Sequence, residues 1–154
     1  AELSVYLTNA YFVPDPQLLA ALKKAVRRGV DVKIILPSST DSGLVFHAGR
    51  SYYDELLSNG IKIYERHAAL LHAKTALIDG VWSTIGSTNL DWRSFLHNDE
   101  LNAVILGPVF GKQMLTMFEK DLALSKLVTL EEWRDRSFTL RLKEMAARVW
   151  AYWL

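Results

Sequence analysis

One stretch of the chain gathers residue types that together can handle a phosphodiester. It runs His72-Ala73-Lys74, four residues, Asp79, six residues, then Gly86-Ser87-Thr88-Asn89. Lys74 is a cation suited to non-bridging phosphate oxygens. Ser87 and Asn89 offer neutral hydrogen bonds. His72 can attack phosphorus or shuttle a proton near neutral pH. Asp79 falls at a turn, off the face shared by His72 and Lys74, and is expected to hold the hairpin or orient its neighbours.

The elements that must position these groups can be read from periodicity. In a strand, alternate side chains share a face, so His72 and Lys74 project together, as do Ser87 and Asn89. Asp79-Gly80 between two apolar runs, 74–78 and 81–85, is a hairpin signal. A two-residue turn there pairs Ser87 directly with His72. Upstream, 3–8 alternates as a strand, and Asp15-Pro16 opens a helix whose stripe is Leu18, Leu19, Leu22, Ala25 and Val26. A β-branched run, 30–36, is a buried strand, 44–58 a second helix, and 61–65 a third strand. A further strand is expected over 102–106, and helices over 109–124 and 130–153. This β-α-β-α-β order predicts an α/β layered fold with a mixed central sheet flanked by helices.

The bulk numbers bound the function. The chain has 154 residues, half of them apolar, and a net charge of +1. That suits one domain with a real core, and no long-range field announces nucleic acid or anionic lipid. With no cysteine, thiolate chemistry, disulfides and Cys-ligated metals are excluded. No carboxylate cluster or second well-spaced His accompanies His72, so no metal and no other cofactor is expected. No apolar run reaches the roughly 18 residues of a membrane span. The chain opens on Ala1 and enters a strand-like run at once, which reads as a piece of a longer protein.

The spaced residues match, without departure, the H-x-K-x4-D-x6-G-S-x-N pattern of the phospholipase D superfamily, which this chain resembles. Such a match arises by chance on the order of once in 10⁵–10⁶ chains of this size. Three flanking stretches are similar to bacterial cardiolipin synthases: Tyr11-Phe12-Val13-Pro14-Asp15, Gly29-Val30-Asp31-Val32, and Asn89-Leu90-Asp91-Trp92-Arg93-Ser94-Phe95. The resemblance covers roughly residues 3–124 and is greatest to the C-terminal half of those two-motif enzymes. It implies a metal-free, two-step reaction in which one motif's His forms a phosphohistidine and the other's acts as acid and base. It implies His72, Lys74 and Asp79 as catalytic residues, Lys74, Ser87 and Asn89 as phosphate ligands, and Glu100 as the acid that orients the imidazole, with Asp99 the weaker candidate. It implies a phosphatidylglycerol-like phospholipid substrate, a second half-domain as partner, and a peripheral place on the cytoplasmic face of a bacterial inner membrane.

Blander readings hold elsewhere. His47 and His67 read as surface or packing residues, and His97 as at most a rim residue. Arg93 could contact substrate phosphate but is expected rather to pair with Asp91 and pin the loop; Tyr52 and Tyr53 are expected to pack their helix, and Trp82 to face the core or a partner. The C-terminal helical tail over 126–154 is basic from Trp133 on, with five Lys or Arg against two acids, and carries Phe138, Leu142, Met145, Val149, Trp150 and Trp153 at helical spacing. It could lie on a membrane surface, but the width of the stripe favours packing on the rest of the enzyme. The leading function is therefore phosphatidyl transfer by one 1–154 half-domain. A homodimeric phosphodiesterase or nuclease is the alternative, although no nucleic-acid partner is expected without a basic stripe. An idle half-domain that only binds a partner is the third reading.

Overall fold

The computed structural model describes residues 1–67 and 70–153, with backbone alone at Tyr152. Seven strands form one mixed sheet in the order β6-β5-β4-β1-β2-β3-β7. They are β1 (Ser4–Asn9), β2 (Asp31–Pro37), β3 (Lys62–Arg66), β4 (Lys74–Ile78), β5 (Trp82–Gly86), β6 (Asn102–Leu106) and β7 (Ser125–Val128). β1, β2 and β3 run parallel. β4, β5, β6 and β7 join antiparallel to their neighbours.

Helix α1 (Pro16–Arg27) starts where its sequence says. Asp15 accepts the N–H groups of Gln17 and Leu18, Pro16 occupies the first turn, and Leu19, Leu22 and Ala25 are buried. The main core lies between α1 and the sheet and includes Val32, Ile34, Ile63 and Leu56. Each such side chain contributes on the order of 1.5–3 kcal/mol on burial. The other face is covered by α5 (Pro108–Ala123), whose Phe118 stacks on Tyr6 at 4.9 Å.

The expected helix over 44–58 is two helices, α2 (Gly43–Arg50) and α3 (Tyr53–Ser58). At the break, Ser51 and Tyr52 donate backbone N–H groups to Ala48 and Gly49, three residues back, and the Ser51 hydroxyl also bonds the Ala48 carbonyl. Local hydrogen bonds of this kind compete with the helical ladder. The expected long C-terminal helix is likewise divided. Strand β7 precedes α6 (Leu130–Arg134), α7 (Phe138–Arg148) and a 3₁₀ turn at Ala151–Trp153. Between α6 and α7, the Arg136 guanidinium turns inward to the Trp133 carbonyl and the Glu144 carboxylate. Leu154, the end of the expected tail, lies outside the described residues. A short helix, α4 (Trp92–Leu96), was not anticipated.

The hairpin register also differs by one residue from expectation. Thr75 pairs with Ile85 and Ile78 with Trp82, so the connection is Asp79-Gly80-Val81. Asp79 and Gly80 both have positive φ, 53° and 68°, as an Asp-Gly turn prefers. Val81 is the extra residue. Its carbonyl accepts from Gly107, ahead of α5, and Gly111 of α5 sits so close that a Cβ there would meet the Gly80 carbonyl oxygen at 1.8 Å. The β5–α5 contact thus holds the bulge in place.

Among the described residues no helix is long and apolar enough to cross a membrane.

Candidate active site

The carboxyl ends of β1, β2 and β5 and the amino ends of β4 and β6 meet at one end of the sheet, as the pairing directions require. This is the end where open α/β sheets place ligands. Lys74 begins β4 opposite Asn9, the last residue of β1. Asn9 is buried, and its amide oxygen accepts from the N–H groups of Tyr11 and Leu90. It therefore ties the loop after β1 to the loop after β5 beneath Lys74.

Lys74 is only 9% exposed, and its ammonium donates to the His72 carbonyl at 3.1 Å. Burial pulls its pKa below the ordinary lysine value, against the opposing fields of Glu100, Asp91 and Asp41. The fields of three carboxylates from three loops thus act on one desolvated cation. His72 is exposed to solvent, with its ring edge-on to Tyr11 at 6.4 Å. The Tyr11 hydroxyl donates to Asp41, and Thr40 donates to the same oxygen. These bonds, Tyr11 first, hold the Asp41 carboxyl below its usual range, and His72 lies within its field.

The one-residue register shift moves Ser87 from its expected position opposite His72; continued, the ladder would set Thr88 there, since a slip of one exchanges faces. The chain in fact leaves the ladder after Gly86. Ser87 then bonds backbone to backbone with Leu101, and its hydroxyl accepts the Leu101 N–H at 3.0 Å. Gly86 permits this turn because any Cβ would collide with the Leu101 carbonyl and the Asn102 side chain. Ser87 remains beside the cluster through Glu100. Hydrogen bonds from Ser87, then Asn98, lower the Glu100 pKa, and Lys74 adds to the effect. Asn89 is half-buried, and its buried amide oxygen meets no donor among the described residues.

The positions of Asp79 and Glu100 bear on the roles expected of them. Asp79 is at the far end of β4, roughly 16 Å from Lys74 at strand rise. Its carboxylate accepts the backbone N–H groups of Glu2, Leu3 and Ser4, and the bond from Ser4 lowers its pKa most. Asp79 therefore clamps the start of β1 to the hairpin and does not join the site. Glu100 lies in the field of Lys74 and takes hydrogen bonds from Ser87 and Asn98, and Asp41 lies in the field of His72. Asp41 was not foreseen, because only the parallel pairing of β1 with β2 brings its loop to His72. Asp91 was seen only as a partner for Arg93. It caps α4 by accepting the Ser94 N–H at 2.7 Å, and burial raises its pKa. His47 lies on α2 and His97 ends α4.

A family model described as "Cardiolipin synthase, PLD-like domain" matches residues 1–122. A cardiolipin synthase from Halalkalibacterium halodurans is 38% identical over 149 residues, 97% of this chain and 30% of the relative. A cardiolipin synthase A from Pectobacterium carotovorum is 41% identical over 94% of this chain and 30% of its own length. The chain thus spans about a third of the length of the relatives it matches. The crystal structure of Nuc, a phospholipase D family member from Salmonella typhimurium, superposes with a TM-score of 0.72, 25% identity and 84% coverage of each chain.

Proposed function

The chain belongs to the phospholipase D-like domain family of cardiolipin synthases, and on that premise we propose that it is one catalytic half of a phosphatidyltransferase. The observation that carries this reading is Lys74: a buried cation at the start of β4, bonded to the backbone carbonyl of His72 and lying in the fields of the loop carboxylates Glu100, Asp91 and Asp41. A preorganised charge of this kind stabilises a phosphoryl transition state more than a mobile surface lysine does.

In this mechanism one motif's histidine attacks the phosphorus of a phosphatidylglycerol-like lipid. A P–N bond forms, the P–O bond to the glycerol headgroup breaks, and the other motif's histidine protonates the departing oxygen. That second histidine then takes the proton of an acceptor hydroxyl. The acceptor oxygen attacks phosphorus and displaces the first histidine, which leaves the phosphatidyl group on the acceptor and both imidazoles in their starting states. His72 supplies one of the two histidines. Lys74, Ser87 and Asn89 bind the phosphate, Asp41 and Tyr11 steady the His72 ring, and a second half-domain supplies the other motif. The protein works peripherally, on the cytoplasmic face of the inner membrane.

A second reading, with two copies of this chain supplying the two histidines, is favoured by the match to Nuc over 84% of each chain, which means that a chain of about this length adopts the fold. Product formation separates the two. The full-length protein incubated with phosphatidylglycerol should yield cardiolipin and glycerol in equal amounts, while the 154-residue chain alone should be inactive at any concentration. Activity of the isolated chain that rises with its dimer fraction would favour the second reading. Cleavage of DNA without turnover of lipid by the full-length protein would refute phosphatidyl transfer.

A further inference from the structure

Helix α7 is amphipathic, yet its apolar stripe is not the face it buries. The buried residues are Glu144 and Ala147, followed by Ala151 in the 3₁₀ turn. α7 packs on α2 through this small-residue face. Phe138, Leu142, Met145 and Val149 are 71, 49, 66 and 77% exposed. At about 100° per residue these four fall within about 60° of arc, centred about 150° from the buried face. The stripe that spacing alone assigned to packing therefore points away from the protein.

Charge divides along the same lines. The single acid of α7, Glu144, is turned inward and paired with Arg136 at 2.8 Å and Arg50 at 3.7 Å. At the same spacing Arg141 lies about 70° from the centre of the stripe on one side and Lys143 about 130° from it on the other, toward α2, and both are exposed. Trp150, 56% exposed, continues the apolar surface next to Lys143, in a groove shared with Leu44 of α2. The 3₁₀ turn packs on α4, where Phe95 and Leu96 are 43 and 54% exposed. Asp91, which caps α4, is one of the carboxylates around Lys74. Exposed apolar side chains are thus found on α7, at Trp150 and on α4, the helix whose cap Asp91 acts on Lys74.

We propose that α7 and the adjoining surface of α4 are the membrane-docking face of the protein, with an anionic phospholipid bilayer as the occupant. The outward Phe138, Leu142, Met145 and Val149 enter the acyl boundary, and Arg141 meets lipid phosphates, which is the pattern of an interfacial helix. Lipid phosphates, unlike the acyl interior, lie at the depth this flanking cation reaches, so docking in this orientation would present headgroups to Lys74 and His72 without lifting a lipid out of the bilayer. The inference deepens the phosphatidyltransferase reading by naming how substrate arrives.

Two measurements on the full-length protein test it. In the first, binding to phosphatidylglycerol vesicles is compared for the wild type and the triple variant Leu142→Gln, Met145→Gln, Val149→Gln. These side chains are exposed, so the fold should survive. Partitioning should fall about tenfold in the variant, while activity on phosphatidylglycerol in detergent micelles stays unchanged. In the second, a polarity-sensitive fluorophore is attached to Met145→Cys, with any cysteine outside this cysteine-free segment replaced. Its emission should shift to the blue with phosphatidylglycerol vesicles and much less with phosphatidylcholine vesicles. Unchanged partitioning of the triple variant would overturn the proposal. So would a probe already blue-shifted without lipid, or a change of oligomeric state in the variant, since either marks the stripe as a protein–protein contact. A wild type that binds vesicles as described yet forms no cardiolipin would leave docking intact and sink the catalytic reading instead.

Discussion

The ammonium of Lys74 donates to the backbone carbonyl of His72, two residues before it, at 3.1 Å. One β-strand start thereby ties the site's cation to the backbone of the residue that carries its imidazole. The arrangement charges the protein for a buried ammonium whose pKa is drawn down by desolvation despite three nearby carboxylates. Replacing a buried charge by an apolar group of similar volume is often neutral or stabilising. Lys74→Met should therefore melt no lower than the wild type while kcat/KM falls about 10²–10³-fold. Lys74→Arg should recover little, because a planar fork does not fit a point-charge site. A clear drop in Tm for Lys74→Met, or near-normal turnover, would contradict this role.

Asp41, held by Tyr11 and Thr40 and lying in the field of His72, is expected to position the imidazole. Asp41→Asn should lower kcat about 10–100-fold, the scale set by small misplacements of a catalytic group, with KM within about twofold of the wild type. Tyr11→Phe should show the same split more weakly. Equal changes in kcat and KM for both variants, tracking loss of folded protein, would assign Asp41 to structure alone.

Asp79 belongs to folding. Its carboxylate takes three backbone N–H groups of the first strand's entry, and its backbone adopts a positive φ that Asn also tolerates. Asp79→Ala should destabilise by about 1–2 kcal/mol after allowance for solvent exposure. Asp79→Asn should cost less. Turnover per folded molecule, measured well below Tm, should be near normal for both. A large kcat loss in a fully folded Asp79→Asn would restore it to the catalytic set.

Much of this was legible in the sequence because the relevant signals are local. The Asp15-Pro16 helix start, the β-branched 31–37 run and the Asp-Gly turn each carry their own geometry, and all three are present. The failures are tertiary. Val81 bulges because Gly107 and Gly111 draw the hairpin toward α5, which no hairpin pattern reveals. β7 and α4, of 4 and 5 residues, are too short for periodicity to register. The apolar stripe of α7 was read as a packing face because hydrophobic spacing shows that a face exists and not what covers it. Asp41 sits in a polar loop whose nearness to His72 depends on strand order.

Asp31 offers a pH test away from the site. Burial alone would raise its pKa, but Lys62, Lys33 and Tyr6 donate to it and bring it down to about 2. A carboxylate whose folded pKa is depressed contributes stability above its unfolded value near 3.8 and loses it as pH falls toward 2. Asp31→Asn should therefore be less stable than the wild type at pH 7, with the gap closing between about pH 4 and pH 2. Denaturant titration at several pH values measures it. A gap that stays constant down to pH 2 would show that the charge of Asp31 is not what the three donors stabilise.

The central claim is that His72 takes part in bond making or proton transfer at phosphorus, and replacing it tests that claim most directly. His72 is exposed, so His72→Ala should leave Tm and the circular dichroism spectrum unchanged. In the full-length protein, cardiolipin formation from phosphatidylglycerol by His72→Ala should fall by at least about 10³-fold, the scale expected when a nucleophile or general acid is removed. A folded His72→Ala protein that still makes cardiolipin within about tenfold of the wild-type rate would contradict the account.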